Sequence, residues 1–456
     1  MPDRATVNLD VDPLSQPKHA TIARDDPFRI LVLGDFSGRA NRKLPLENPK
    51  PIDVDPDNFE QVMEALHIEL QLAAGSTPLT LRFRELDDFD PDRLYQTLPL
   101  FQAFRDTRRR LEDPQTFRAA AARLRPDPSP APKSGGSLLD QIADETSEPQ
   151  TTPLRKPTSE WDEVIRRALA GHTIPSRDPR QDELIAQVDA AAASELRAIL
   201  HHPDFQSLES AWRSLFLMFR RIETSVDLKI YLVDLSQAEL ADNPDILRRV
   251  LAGETPWSLI AALYTFSPNR ADCETLGRIA KIAAEARAPF LAAMHPRLLG
   301  CESIASTPDP DDWDRPLAPD DAEAWQGLRH SPEAPWLGLA MPRFLLRLPY
   351  GKDTVPIESF DFEESPDHEG YLWANPSVAC ACLLGEAATW NAPTRIDGMP
   401  VDPDKPQAEI WMTDRLAARI MDQGIMPLAS IKCSDAIQLV RFHSIADPPR
   451  RLAGPW

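Results

Sequence analysis

The sequence predicts a mixed α/β protein (α/β with α+β character) in two unequal parts. A small α/β domain spans 1–124, a proline-rich linker spans 125–160, and a larger α/β domain spans 161–456. Two observations carry this. Short apolar runs closed by Gly or Asp alternate with stretches of helical periodicity, as parallel β-α-β units require. Between them, RPDPSPAPKSGG at 125–136 is rich in Pro, Ser and Gly and reads as an extended spacer. A chain of 456 residues is long enough for two or three domains with sizeable cores.

Taken in order, residues 1–27 are polar, and only VNLDV at 7–11 alternates as a strand does. FRILVLGDF at 28–36 is a continuous apolar run ended by Gly and Asp, the pattern of a buried strand. Over 58–72, Phe59, Val62, Met63, Leu66 and Leu70 fall at helical spacing and predict a helix. Leu79, Leu81 and Phe83 alternate with polar neighbours, predicting a half-exposed strand. Residues 94–111 read as helical and end in the basic run Arg108-Arg109-Arg110.

Beyond the spacer, SLLDQIADET at 137–146 predicts a short amphipathic helix with Leu138, Leu139 and Ile142 on one side. An apolar face set in spacer sequence suits a docking peptide, and equally a helix folded back on its own domain. The pattern leaves both open. From 181, DELIAQVDAAAASELRAIL leads into ILHHPDFQSLESAWRSL at 199–215. There Phe205, Leu208, Trp212, Leu215, Phe216 and Phe219 make one broad apolar stripe, predicting a core helix. LKIYLVDL at 228–235, PWSLIAALYTF at 256–266 and APFLAAM at 288–294 read as strands, with a helix over 273–287. A proline-rich acidic excursion occupies 303–324. A helix over 408–423 precedes short strands near 428–432 and 437–442. No internal repeat is evident.

Composition narrows the function. The net charge of −21 argues against nucleic acid or anionic lipid as a partner. No apolar run reaches about eighteen residues, so membrane insertion is not expected. MPDRATVNLD lacks the basic and apolar parts of a secretory leader, which makes cytoplasmic residence the expectation. The five cysteines form no CxxC pair, and Cys380 and Cys382 sit in the apolar run SVACACLL, as buried free thiols do. Proline is frequent (46) and glycine sparse (17), and the prolines cluster in spacers and loops.

Motifs for chemistry are weak. GDFSGR at 34–39 lacks the GK[ST] ending and the full GxGxxG spacing of phosphate loops, and reads as a strand-ending turn. His201 and His202 are adjacent, so on a helix they diverge by about 100° and suit capping or packing better than a shared metal. EESPDHE at 363–369 gathers four carboxylates and a histidine, which suits either a solvated acidic loop or a divalent cation. No GxSxG, HExxH or Cys/His nucleophile pattern occurs. The prediction is therefore a non-enzyme with no catalytic residue, cofactor or metal ligand.

The wording of several segments is more particular. TVNLDV, PFRILVLGDFSGR, IDVDPDNFEQVM, LRFRELDDFDPDRL and LPLFQAFRDTRRRL follow in order and resemble the small subunit (TssB, VipA or ImpB) of the type VI secretion contractile sheath. SLLDQIADET, HHPDFQSLESAWRSL, LKIYLVDLS, PWSL…AEARAPFLAA, WLGLAMPRFLLRLPYG, FDFEE…HEGYLWAN and AEIWMTDRLAARIMDQGIMPLASIKCSD resemble the large subunit (TssC, VipB, ImpC or EvpB). The chain thus resembles a fusion of the two.

That resemblance implies a structural role. The two subunits form a heterodimer, and many copies stack as a contractile tube around an inner tube. A AAA+ unfoldase, ClpV, dismantles the contracted sheath by gripping an N-terminal helix of the large subunit. SLLDQIADET matches that helix region, so Leu138, Leu139 and Ile142 are the implied contacts. Implied partners are other sheath subunits or copies of itself, the inner-tube protein, baseplate components and a ClpV-like unfoldase. Departures are also visible: LLVGDYEF of typical large subunits is LIAALYTF here (259–266), and the usual lysine-asparagine-threonine-aspartate is Lys432-Cys433-Ser434-Asp435. Typical large subunits continue past the position of Trp456 into sequence that joins the intersubunit sheet. The expectation is therefore a sheath-like component that polymerises, or an accessory that docks on sheath or baseplate. The alternatives are a non-polymerising scaffold derived from sheath proteins and a metal-dependent enzyme.

Overall fold

A computed structural model describes residues 27–46, 48–74, 77–124, 178, 180–253, 255–365, 367–386 and 394–456, and the side chains of 73–78 are not described. Strand β1 (Phe28–Gly34) is the apolar run foreseen at 28–36. Strands β2 (Ile52–Val54), β5 (Leu228–Asp234), β6 (Leu259–Phe266), β7 (Phe290–Met294), β8 (Leu337–Met341), β11 (Arg395–Ile396), β12 (Met426–Ser430) and β13 (Ile437–Leu439) join it. Together they make one nine-stranded sheet in the order β11-β13-β12-β8-β7-β6-β1-β5-β2. From β12 through β8, β7, β6 and β1 to β5 every pairing is parallel. The outer pairings, β2 on β5 and β13 on β12 and β11, are antiparallel.

The continuous apolar strands follow from coverage of both faces. Ile30 and Val32 of β1 enter one apolar cluster, while Leu31 and Leu33 enter another. Ala261 and Leu291 share the first face, whereas Ile260, Ala262, Phe290 and Ala292 share the second. This is the two-residue period of a strand, with a core on each side.

The first face is covered by α6 (Pro203–Arg221), α11 (Pro376–Glu386) and the antiparallel pair β3 (Ile68–Ala74) and β4 (Thr77–Phe83). SVACACLL lies in α11, where Pro376 through Gly385 are all buried, as expected of a helix that is apolar all round. Cys380 and Cys382 are free and fully buried there. The second face is covered by α8 (Asp245–Leu251), α9 (Arg270–Ala286), α10 (Pro319–Arg329) and α12 (Asp414–Asp422), with α7 (Gln237–Asp242) at its margin.

Three expectations change. The helix foreseen over 58–72 is only α1 (Phe59–Ala65); the chain then turns at His67, φ +49°, and continues as β3. Ile68, Leu70 and Leu72 keep a period of two, and β4 supplies the partner that makes a strand the better outcome. The helical stretch at 94–111 is two helices, α2 (Pro91–Thr97) and α3 (Gln102–Glu112), because Pro99 has no N–H to continue the ladder. The helix foreseen from 408 begins at Asp414, where the Thr413 hydroxyl accepts from the Leu416 amide at 3.2 Å. Helix α4 (Phe117–Arg123) of the first part and α5 (Arg180–Leu200) of the second pack with α3 in a helical corner. VNLDV and SLLDQIADET lie outside the described residues.

Candidate functional site at the seam between the two parts

Strand β1 comes from the first part of the sequence, and both its neighbours, β5 and β6, come from the second. The loop after it, GDFSGR, is bound to the second part. The Asp234 carboxylate at the end of β5 accepts from the Phe36 amide at 2.8 Å, the Ser37 amide at 3.1 Å and the Ser37 hydroxyl at 2.7 Å. Arg39 reaches the same carboxylate at 3.4 Å and pairs with Glu239. Asp35 accepts from the amides of Arg39 and Ala40 at 3.0 and 3.1 Å. Burial and then the nearby Asp234 push the Asp35 carboxyl up, against these amide bonds. The loop amides that a phosphate would need are thus engaged by carboxylates.

Gly38 makes the turn possible. It has φ +70°, and a Cβ there would lie 2.6 Å from the Glu69 carbonyl oxygen of β3.

The aromatic helix α6 binds the first part from below. Phe205, Leu208, Trp212 and Leu215 are buried. Phe205 meets Phe83 and Phe89 edge-on at 5.9 and 5.7 Å between centroids. Trp212 meets Phe36 and Phe59 at 5.3 and 5.5 Å, and its indole N–H donates to the Phe36 carbonyl at 2.9 Å. Phe216 departs from the stripe: it is 41% exposed, with its ring tilted against Phe59 at 5.9 Å between centroids. It stands about 100° round the helix from Leu215, at the flank of the covered face.

Beneath this layer lies a buried ionic chain. Glu209 of α6, wholly buried, accepts from Arg213 at 2.6 Å and from Arg347 at 2.8 Å. Arg347 continues to Glu364 at 2.7 Å, which also accepts from the Tyr350 amide at 2.8 Å. Arg347 lies at the end of β9 (Phe344–Arg347), which pairs with β10 (Leu372–Ala374). Burial would raise the Glu209 carboxyl, but Arg347 and Arg213 outweigh it and hold it below its ordinary value.

The acidic motif at 363–369 is taken apart by this arrangement. Glu364 faces inward to Arg347, while Glu363 accepts from the Lys352 amide at 3.0 Å. His368 packs on Tyr371 and Trp373, with Nε2 3.1 Å from the Pro406 carbonyl. Among the described residues no three His, Cys, Asp or Glu side chains are grouped as a metal site. His202 caps α6, its Nδ1 accepting from the Asp204 amide at 3.2 Å.

A cavity of about 530 Å³ opens at the carboxyl ends of β1 and β6, lined among others by Asp35, Ser210, Gln237, Arg343, Trp373 and Asn375. The successive strands β5 and β6 flank β1 on opposite sides, so the strand order reverses here, at the kind of switch point where open parallel sheets bind ligands. Here the polar groups are turned to one another. Ser210 donates to the Trp373 carbonyl at 2.7 Å, Asn375 to Tyr264 at 2.8 Å, Gln237 to Thr265 at 3.0 Å, and Arg343 pairs with Glu409. The chemistry of the seam is cohesion.

Comparison with known proteins divides the chain at the same seam. The family model for the EvpB/VC_A0108 tail sheath N-terminal domain, VipB, matches residues 182–248 and 250–446. The chain belongs to the type VI secretion tail sheath family. A second model, type VI secretion system VipA, VC_A0107 or Hcp2, matches 2–125, so a VipA region and a VipB region are fused in one polypeptide. The type VI secretion system sheath protein TssC1 of Pseudomonas aeruginosa is 32% identical over 333 residues, covering 63% of this chain and 67% of its own. Solved structures with similarity include the anti-feeding prophage baseplate (15% identity, TM-score 0.29, 52% of this chain and 51% of that one). The contracted helical sheath of the same prophage is 14% identical with TM-score 0.27, over 52% and 53%. The chain spans about half the length of either structure. It is a contractile-sheath-like structural protein of the type VI secretion apparatus.

Leu138, Leu139 and Ile142 lie outside the described residues. Among the described residues no helix is long and apolar enough to cross a membrane. Sequence reasoning missed Asp234 and Glu239 as the residues that hold the first part. The available signal was an acidic residue, Asp234, closing an apolar strand, with Glu239 in the helix just after it.

Proposed function

We propose that this protein is a pre-joined sheath unit that assembles in the cytoplasm with copies of itself or with other sheath subunits, around an inner tube and against a baseplate. The supporting observation is the place of β1: a VipA-region strand hydrogen-bonded on both sides to VipB-region strands. Fusion keeps these partners at high effective concentration, so the pair forms without a bimolecular step. Leu138, Leu139 and Ile142 offer an apolar face to a ClpV-like unfoldase. The protein acts through surfaces and carries out no reaction.

Electron microscopy of the purified full chain, alone and mixed with the inner-tube protein and baseplate, tests this. Tubules, or particles seated on tubes or baseplates, are the expected result. Isolated particles that neither assemble nor co-sediment in any mixture would remove the reading.

A further inference from the structure

The chain holds 71 acidic residues against 50 basic ones, so a basic surface on it calls for a reason. Residues 102–124, which carry α3 and α4, reverse the balance with six arginines against three acidic residues. Arg105 turns to the Tyr95 carbonyl, and Arg108 pairs with Asp189 at 3.0 Å. Arg110, Arg118 and Arg123 are exposed, and none has an ion pair among the described residues. The corner itself is firm. Leu111, Phe117, Ala120 and Val188 make a small third core, and Gln181 donates to the Leu111 carbonyl at 2.6 Å. Beside Arg118 a groove of about 560 Å³ runs between α4 and α5, floored by Phe117, Ala121 and Leu184. On its rim Arg180 is taken by Asp178 at 3.3 Å and Glu183 stands nearby, which leaves Arg118 as the spare cation.

The acidic excursion is its chemical counterpart. Residues 309–323 hold seven acidic residues and one arginine. This lobe is fixed to the body. Arg415 reaches Asp311 at 2.9 Å, the Trp313 indole donates to the Thr307 carbonyl at 2.9 Å, and the Arg315 amide donates to the Gly300 carbonyl at 3.3 Å. At its tip Pro316, Ala318 and Pro319 are exposed between Asp314 and Asp320. Both carboxylates are exposed and have no ion pair among the described residues. An apolar tip flanked by spare carboxylates matches an apolar floor flanked by spare guanidinium groups.

One chain cannot join the two. Helix α5, on which the corner rests, sends Ala192, Leu196 and Leu200 into the core on the first face of the nine-stranded sheet. Ile304, Trp313 and Leu317 belong to the core on the second face. With the corner and the lobe on opposite sides, each is open to a different neighbour. We propose that the α3–α4 corner of one copy takes the 309–323 lobe of the next, the tip seated on Phe117, Ala121 and Leu184 and the flanking carboxylates facing Arg118 and Arg123. The contact rests on the reading that this protein assembles with copies of itself, and adds which surfaces meet. It is heterologous, so it joins copies head to tail into a ring or an open filament. Copies of charge −21 repel at long range, and one patch of opposite sign on each then fixes their register.

The test mixes two forms of the full chain, both carrying Cys433→Ser to remove the exposed thiol. One carries Ala121→Cys on the groove floor and the other Ala318→Cys at the tip of the lobe. The mixture is expected to form 121–318 disulfides between chains, seen as a dimer band and a linked peptide by mass spectrometry. Absence of that bond, or 121–121 or 318–318 bonds in its place, would overturn the contact. Electron microscopy of the same samples keeps the two readings apart, because tubules without the bond sink the contact and leave self-assembly standing. Charge reversal supplies a second measurement. Arg118→Glu with Arg123→Glu on the first form is expected to cut the yield at least about tenfold, since like charges then face one another. Asp314→Arg with Asp320→Arg on the second form is expected to restore it. Unchanged yield after the first reversal, or no restoration by the second, would also overturn the contact.

Discussion

Trp212 donates its indole N–H to the Phe36 carbonyl at 2.9 Å, with the two rings edge-on at 5.3 Å. One residue belongs to the VipB region and the other to the VipA region. The contact therefore fixes both the distance between α6 and the loop after β1 and the direction of that loop. Trp212→Phe keeps most of the ring but strands a buried carbonyl, and should cost about 1–3 kcal/mol. Trp212→Ala should cost about 3–5 kcal/mol. Urea unfolding of the full chain measures both, and equal losses for the two variants would show that the hydrogen bond rather than the ring carries the contact.

The chain Glu209–Arg347–Glu364 is buried, so its members depend on one another. Arg347→Met leaves the buried Glu364 carboxylate without its cation and Glu209 with Arg213 alone, and should cost about 3–5 kcal/mol. The same chain gives a pH dependence. The folded-state carboxyl of Glu209 titrates below its ordinary 4.5. Its stabilisation is thus present in full above that value and is lost as pH falls through the folded-state pKa. Melting temperature followed from about pH 6 to pH 3 should fall more steeply for the natural chain than for Glu209→Gln. Parallel curves would assign the acid sensitivity to other groups.

Gly38 and Gly253 make a matched pair for the turn argument. Gly38→Ala meets both a left-handed backbone and the Glu69 carbonyl oxygen, and should cost at least about 1–2 kcal/mol. Gly253 has nothing within 4 Å of a would-be Cβ, so Gly253→Ala should be near neutral. Thermal melts compare the two directly.

The five cysteines should divide by burial. Cys273, Cys301, Cys380 and Cys382 are buried, and Cys433 is exposed. Burial pushes Cys380 up to about 12 and Cys301 up to about 11, keeping both as thiols at neutral pH. A thiol reagent applied to native protein at about pH 8 should label one site, abolished by Cys433→Ser, and five after unfolding. Rapid native labelling of Cys380 or Cys382 would mean that α11 opens.

How far the sequence could be read follows from the kind of pattern each element has. The runs that became β1, β5, β6 and β7 each hold at least four consecutive apolar residues, and such runs have few competing interpretations. The stretch 58–72 satisfied a helical template and a strand template at once, because Leu66 and Leu70 fit the first while Ile68, Leu70 and Leu72 fit the second. Only the presence of β4 decides between them. The seam was less legible still. Asp234 and Ser37 are nearly two hundred positions apart, and nothing local to either marks the other. Phe216 shows the same limit on a smaller scale, since helical spacing gives the width of a stripe but not where its cover ends.

The sharing of β1 makes the strongest claim about the whole chain, and it can be tested by cutting. A protease site placed at 130–133 severs the VipA region from the VipB region without touching a described residue. If each region were a self-contained domain held to the other by surface charge, the fragments would part in salt, since the Debye length is about 3 Å at 1 M. With β1 in the middle of the sheet, parting them exposes Ile30, Leu31, Val32 and Leu33, all fully buried, and breaks two parallel ladders. Burial of apolar side chains is not weakened by salt. The cut chain should therefore elute as one particle at 1 M salt and separate only in denaturant, with both fragments unfolding in a single transition. Separation in salt alone would show that β1 is held by its neighbours far more weakly than its burial requires.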